Sequence, residues 1–490
     1  MSSGPREPDS NHPLPTHGRD LTTGSIPRHL VAFSMPMLAG SALHTAYSIV
    51  NAIWVGNGLG TTAMAAVTVS FPVLFVLMAV AGGLTMASNI LVSQTYGARD
   101  WAQLRRVVQN SVVLTGVVSL ACVLVGHLVA EDLLRLISTP PEVLPMAASY
   151  LRIFLWSVPF MFGIFLIAAM LRGTGDSKTP LYFQASFLGL TAVLDPLLMF
   201  GWLGFPRLGL NGTAVATIIA NCGALVSLLI YLQRRRHIVA PDWRHLRLER
   251  AVSWLTLKIG IPSMLQQASV SIGMLVIVGL INAFGKTATA AFGAAMRIDH
   301  LAFMPAMTIG MAVSTLSGQN IGARRYHRVN EVFRWGLLLG GGMTLLASLL
   351  ALTIPGILLR MFIPDREVIA TGVQYLRIVG AGYVLFAIMF VSNGVINGAG
   401  HTFVTTLISL IALWAVRVPI AAYLSRSMHR LDGIWYAMVI SFAVGSALSL
   451  AYYLSGRWKK SVVRTRPSIS EQLESELHTG VSALPESALE

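Results

Sequence analysis

Two carboxylates lie deep inside apolar stretches of this chain, Asp195 in LTAVLDPLLMF and Asp299 in AAMRIDHLAFM, and no other acid is placed that way. A charged carboxylate at hydrocarbon depth is costly, so such a group faces a bundle interior or a water-filled cavity and marks an ion path. The chemistry open to it is exchange: the same oxygens hold a proton, a sodium ion or the cationic part of an organic molecule in turn. Pro196 follows Asp195, which leaves the side chain a second use, capping backbone freed at a kink. Beside Asp299 stand Arg297 and His300. Arg297 either neutralises Asp299 as a buried pair or leaves it as a second proton or substrate site. Gln266, Gln267 and Arg417 are further polar groups within apolar stretches. The sequence has no HExxH, no GxSxG and no convergent His/Cys set, and Cys122 and Cys222 read as core side chains, so an intramembrane enzyme is disfavoured and no metal site is expected.

These groups must be held by elements that cross a membrane. Of 490 residues 54% are hydrophobic and 11% charged, against roughly 25% charged in ordinary soluble domains; mean hydropathy is +0.66. Apolar runs near 30–51, 62–92, 108–130, 147–170, 181–203, 209–232, 254–283, 288–317, 335–355, 370–396, 403–424 and 433–456 are each long enough to span hydrocarbon as a helix. The runs are continuous rather than alternating, which disfavours a β-barrel. The expected fold is an all-α polytopic membrane protein with twelve transmembrane helices. The net charge of +14 is read by placement: most Lys and Arg fall on one side, which puts both termini in the cytoplasm. The basic runs at 234–237 and 243–250 are then topological labels rather than a nucleic-acid surface. Residues 1–29 read as a polar cytoplasmic tail without a signal peptide, 233–253 as a basic linker, and 457–490 as a solvated tail.

Shifting the chain by 225 residues reveals an internal repeat. VSQTYGAR at 92–99 falls on SGQNIGAR at 317–324, SYLRI at 149–153 on QYLRI at 374–378, and LRGTGD at 171–176 on INGAGH at 396–401. The chain therefore divides into six-helix bundles at 30–232 and 254–456, each with an even number of spans and so parallel to the other. Such a plan suits alternating access about a site between two bundles. Pro36, Pro72, Pro159, Pro196, Pro262, Pro305 and Pro419 lie within the spans as places to bend. Arg417 falls near the repeat position of Asp195, so the two bundles carry opposite charges in roughly equivalent places.

The stretch SMPMLAGSALHTAYSIVNAIWVGNGLGTTAMAAVTVSFPV, with GGLTMASNILVSQTYGARD, LRGTGDSKTP, VLDP, RIDHLAFMPAMTIGMAVSTLSGQNIGAR and NGAGHTFVTTLISLIALWAVRVP, resembles the multidrug and toxic compound extrusion (MATE) family from about residue 25 to 458. The resemblance implies a two-lobe exporter of organic, often cationic, compounds driven by a proton or sodium gradient, with no cofactor. It lies nearer the DinF-like branch, whose N-terminal site maps onto Asp195, Thr191 at an Asn position, Thr213, Asn51 at an Asp position and the cavity-lining Tyr47. Asn51 cannot ionise, which leaves Asp195 as the titrating member of the set; a sodium ion near it would lose one anionic ligand. The acids that the NorM-like branch uses in spans seven and ten are missing. A flippase for lipid-linked saccharide precursors, from the same wider superfamily, is the alternative. The implied setting is a bacterial inner membrane, with small-molecule substrates and lipid as partners, no nucleic acid, and a monomer.

Overall fold

The computed structural model describes residues 18–459. Among these residues the secondary structure is helical, with no strand, because hydrocarbon offers the backbone no partners and each helix satisfies its own groups. The first bundle holds α1 (Ile26–Leu59), α2 (Thr61–Gly97), α3 (Trp101–Leu136), α4 (Leu144–Leu155), α5 (Val158–Gly173), α6 (Lys178–Phe200) and α7 (Leu210–Arg234). The second holds α8 (Arg250–Asn282), α9 (Lys286–Gly322), α10 (Tyr326–Thr353), the short α11 (Pro355–Arg360), α12 (Arg366–Gly380), α13 (Tyr383–Gly398), α14 (Thr402–Leu410), α15 (Val418–Met428) and α16 (Asp432–Leu454). A π-helical turn, Ile411–Arg417, joins α14 to α15 in one span.

Among the described residues nine helices are long and apolar enough to cross a membrane, and two bent pairs raise this to eleven. The 34-residue α1, interrupted by more polar side chains, completes twelve. Each expected apolar run falls on one of these spans, with the runs 181–203, 209–232, 254–283, 335–355 and 433–456 reaching one to three residues past a helix end, while most helices begin ahead of their run. At α3, for example, the Asp100 side chain accepts from the Gln103 N–H and starts the helix ahead of the apolar run.

The repeat is written into the backbone. α4 and α5 bend by 49° and α12 and α13 by 46°. Positive φ recurs 225 residues apart at Gly60 and Gly285 (84° and 93°), at Arg99 and Arg324 (56° and 57°), and at Gly175 and Gly400 (88° and 89°). Pro36, Pro72, Pro196, Pro262 and Pro305 lie within continuous helices. Pro159 opens α5 just after the first break, while the second falls at Ala381 and Gly382, without a proline.

The linker between the bundles packs more than a charged run suggests, with Ile238 and Val239 buried against α3, α5 and α7. The turns following α2, α5, α7, α9 and α13 share its end of the molecule, here called the linker end. Residues 18–25 depart from the expectation of a polar, mobile tail through residue 29, and α1 already begins at Ile26. Leu21 and Thr22 are buried, and the segment straps the linker end across both bundles; the rest of that tail, and of the C-terminal one from residue 460, lies outside the described residues. α1 bridges the bundles too: Ile26, Leu30 and Phe33 pack on Ile309, Val313 and Val391 of the second, while its far half packs on α6.

Candidate ion-coupling and substrate sites

α1 and α6 build the first site. Asp195 is fully buried, and its Oδ2 accepts from the Asn51 Nδ2 at 2.9 Å and from the Tyr47 Oη at 3.0 Å. Tyr47 and Asn51 lie one turn apart, so a single face of α1 presents both donors. The Asp195 Oδ1 is also buried and has no hydrogen-bond partner among the described residues. The carboxylate is thus half satisfied, with one oxygen tied to α1 and the other free to take a proton or a cation.

The two threonines are near but engaged. Thr191 donates to the Phe187 carbonyl of its own helix at 2.8 Å, and Thr213 to that of Leu210 at 2.9 Å; Tyr150 on α4 lies against Thr213. The backbone-capping alternative for Asp195 is not what the side chain does, since both of its hydrogen bonds go to α1 side chains.

The second bundle holds its acid differently. Asp299 on α9 is buried, and both of its oxygens accept hydroxyl hydrogen bonds, from Tyr383 and from Tyr375. The expected Arg297–Asp299 pair is therefore wrong. The two residues are two positions apart on α9, which sends their side chains to different faces; Arg297 is exposed and its guanidinium lies 5.8 Å over the Phe362 ring. Tyr375, the repeat counterpart of Tyr150, carried no signal of this role in the sequence, nor did Tyr383. Gln266 donates to the Ser409 Oγ at 2.6 Å, tying α8 to α14, whereas Gln267 is exposed. Arg417 donates from Nε to the Ser441 Oγ at 2.7 Å, and its guanidinium lies 4.9 Å over the Phe442 ring.

Between the bundles, the repeated motif closes the linker end. Gln94 of α2 donates to the Gly398 carbonyl at 2.8 Å, and Gln319 of α9 donates to the Gly173 carbonyl at 2.9 Å. Donor and acceptor are both related by the 225-residue shift, so the latch is reciprocal. A Cβ on Gly97 would lie 1.9 Å from the Gln319 carbonyl oxygen and one on Gly322 2.0 Å from that of Gln94, so only glycine permits this approach. The Gln319 Oε1 also accepts from the Leu21 N–H at 3.0 Å, and Arg325 and Arg328 donate to the Thr22 and Gly24 carbonyls, fastening the strap to the second bundle. Asp20 fastens it to the first, 3.2 Å from Arg99. Toward the opposite end, Phe71, Phe75 and Val76 of α2 and Leu265, Val270 and Leu275 of α8 are exposed.

Two parallel six-span bundles, a buried half-satisfied acid in one of them and a latch across their interface define a polytopic membrane transporter rather than an enzyme. The MatE family profile matches residues 36–197 and again 262–423, once per bundle, and the chain belongs to that family. It is 32% identical to the probable multidrug resistance protein YoeA of Bacillus subtilis, over 93% of this chain and 99% of that one. It is 28% identical to the probable multidrug resistance protein NorM of Thermotoga maritima, over 91% and 96%. Its fold matches the crystal structure of MATE in the straight conformation, with a TM-score of 0.84 at 23% identity, covering 91% of this chain and all of that one.

Proposed function

We propose that this protein is a multidrug efflux antiporter of the DinF-like MATE branch, expelling amphipathic organic compounds in exchange for protons. Asp195 carries the proton, and the observation behind this is its asymmetric setting: one oxygen tied to Tyr47 and Asn51 of α1, the other buried without a partner. Protonation removes the charge to which both α1 donors point. Because the near half of α1 packs on the second bundle, a change in its hold on α6 is communicated to the bundle interface. The latch fits a state closed at the linker end. With the linker end cytoplasmic, as the Lys and Arg placement favours, this is the outward-facing state of a monomeric exporter in a bacterial inner membrane.

Sodium coupling is less well supported. Sodium favours several oxygen ligands, whereas here one carboxylate oxygen is free and the hydroxyls of Thr191 and Thr213 are committed to their own helices. The test is export by the purified protein in liposomes under separately imposed proton and sodium gradients. Proton-driven export should be lost in Asp195→Asn; export by that variant at the wild-type rate would end the proposal.

A further inference from the structure

The second bundle contains a cation that the protein leaves incompletely engaged. Arg417 lies eleven residues before the end of α15, roughly 16 Å of helix, well inside the span. Its surroundings belong to the bundle interior: Ser441, Phe442 and Tyr375 are all buried. Of the five N–H donors of a guanidinium, the one on Nε is used, by Ser441. No other side-chain hydrogen bond and no ion pair joins Arg417 to the described residues. Neither Nη has a side-chain or backbone acceptor among the described residues. Asp299, the buried acid of this bundle, has a tyrosine hydroxyl on each of its oxygens.

The chain has built around this placement. The π-helical turn ending at Arg417 inserts an extra residue into the span, which rotates the side chains that follow relative to a continuous α-helix. Trp414, within the turn, donates to the Ser269 Oγ of α8 at 2.6 Å and anchors it. Ser441 and the Phe442 face then fix the guanidinium plane. A cation held at this depth without a counter-charge is expensive, and one oriented this firmly is prepared for a planar two-oxygen anion. Phe442 packs edge-on to Phe303, which stacks on Phe386 with centroids 3.9 Å apart, so a cluster of aromatic rings stands beside the guanidinium.

We propose that Arg417 is an anion subsite in the C-terminal bundle, receiving the carboxylate of aromatic acids or zwitterions among the exported compounds. The proposal rests on the export reading for the fate of the ligand, and its binding test is independent of coupling. The probes are dansylglycine and its uncharged amide, titrated by fluorescence against the full chain in phosphatidylcholine nanodiscs. The wild type should bind the acid about ten-fold tighter than the amide. Arg417→Gln should bring the two within about two-fold by weakening the acid alone, and Arg417→Lys, a point charge without the planar fork, should restore part of the difference. Should Arg417→Gln fail to fold, Ser441→Ala reads the same site: it keeps the charge but frees Nε, and should weaken the acid by a few-fold.

Equal binding of acid and amide by the wild type, or a preference that survives Arg417→Gln or is unchanged by Ser441→Ala, would overturn the proposal. Repeating the titration with phosphatidylglycerol in the nanodisc separates the two sources of an anionic group. A retained preference assigns the subsite to the compound; its loss assigns Arg417 to a lipid headgroup and overturns a substrate role. Asp195→Asn should keep the full preference, so a failed coupling proposal and a failed subsite remain distinguishable.

Discussion

The two bundles share a repeat, a bend and a latch, yet hold their buried acids in opposite ways. In the first, Asp195 keeps one oxygen on α1 and leaves the other unpartnered. In the second, Asp299 has both oxygens taken by tyrosines, and the cation in that bundle is the group with donors to spare. A buried carboxylate with full hydrogen bonding is a structural fixture, whereas one with an unmet oxygen is available for exchange. On the proposed reading the two copies of the scaffold divide the labour, with proton handling on the N-terminal side and an anchored core with an anion-facing arginine on the other.

The sharpest way to break this comparison is to neutralise each acid in turn. Asp195→Asn should reduce proton-driven export to the level of protein-free liposomes while leaving the melting temperature close to that of the wild type, because Asn still accepts from Tyr47. Asp299→Ala should do the reverse. It leaves two buried tyrosine hydroxyls unmet, at about 1–3 kcal/mol each, so the melting temperature should fall clearly while folded protein remains gradient-coupled. Identical phenotypes for the two variants would dissolve the division of labour.

How far the sequence carried this picture differs between fold and site. The twelve spans and the two-bundle plan were legible because apolar length and a 225-residue self-match survive as plain text. Asp195 was legible because charge is rare at that depth, and its α1 neighbours came with the family resemblance. What was hidden depended on which way side chains turn. Arg297 stands two residues from Asp299 in the chain but points elsewhere, while Tyr375 and Tyr383, which hold that acid, lie more than 70 positions away. Gln94 and Gln319 were visible as repeated letters; that each crosses to the other bundle's glycine carbonyl is a fact of packing alone.

The latch should respond symmetrically where the acids do not. Gly97→Ala and Gly322→Ala each place a methyl group about 2 Å from a carbonyl oxygen of the other bundle. Overpacking of this kind costs about 1–3 kcal/mol or more, so each should shift the population away from closure at the linker end by roughly ten-fold, read as spin-label distances across that interface. A large effect from one and none from the other would show that the two halves of the latch are unequal. Gln94→Leu and Gln319→Leu should act in the same direction more weakly. Each loses a cross-bundle hydrogen bond worth about 1 kcal/mol, or about five-fold in the closed-to-open ratio, and Gln319→Leu, which also strips the Leu21 N–H of its acceptor, should be the stronger of the two.

The smallest effect is expected at Asp20, and it tests whether pH sensing stays within the N-terminal bundle. Burial pushes this carboxyl upward, but the Thr22 hydroxyl and N–H and the Arg99 guanidinium outweigh it, so the group sits below its ordinary value. A depressed carboxyl contributes stability above its unfolded value of about 3.9 and loses it as pH falls through the folded one. From pH 5 to 8 the strap therefore keeps a constant charge. Asp20→Asn should loosen the strap slightly, by about two-fold or less for so exposed a pair, and leave the pH profile of export in that range where the wild type has it. A profile displaced by Asp20→Asn would place part of the pH response at the linker end and remove Asp195 as its only source.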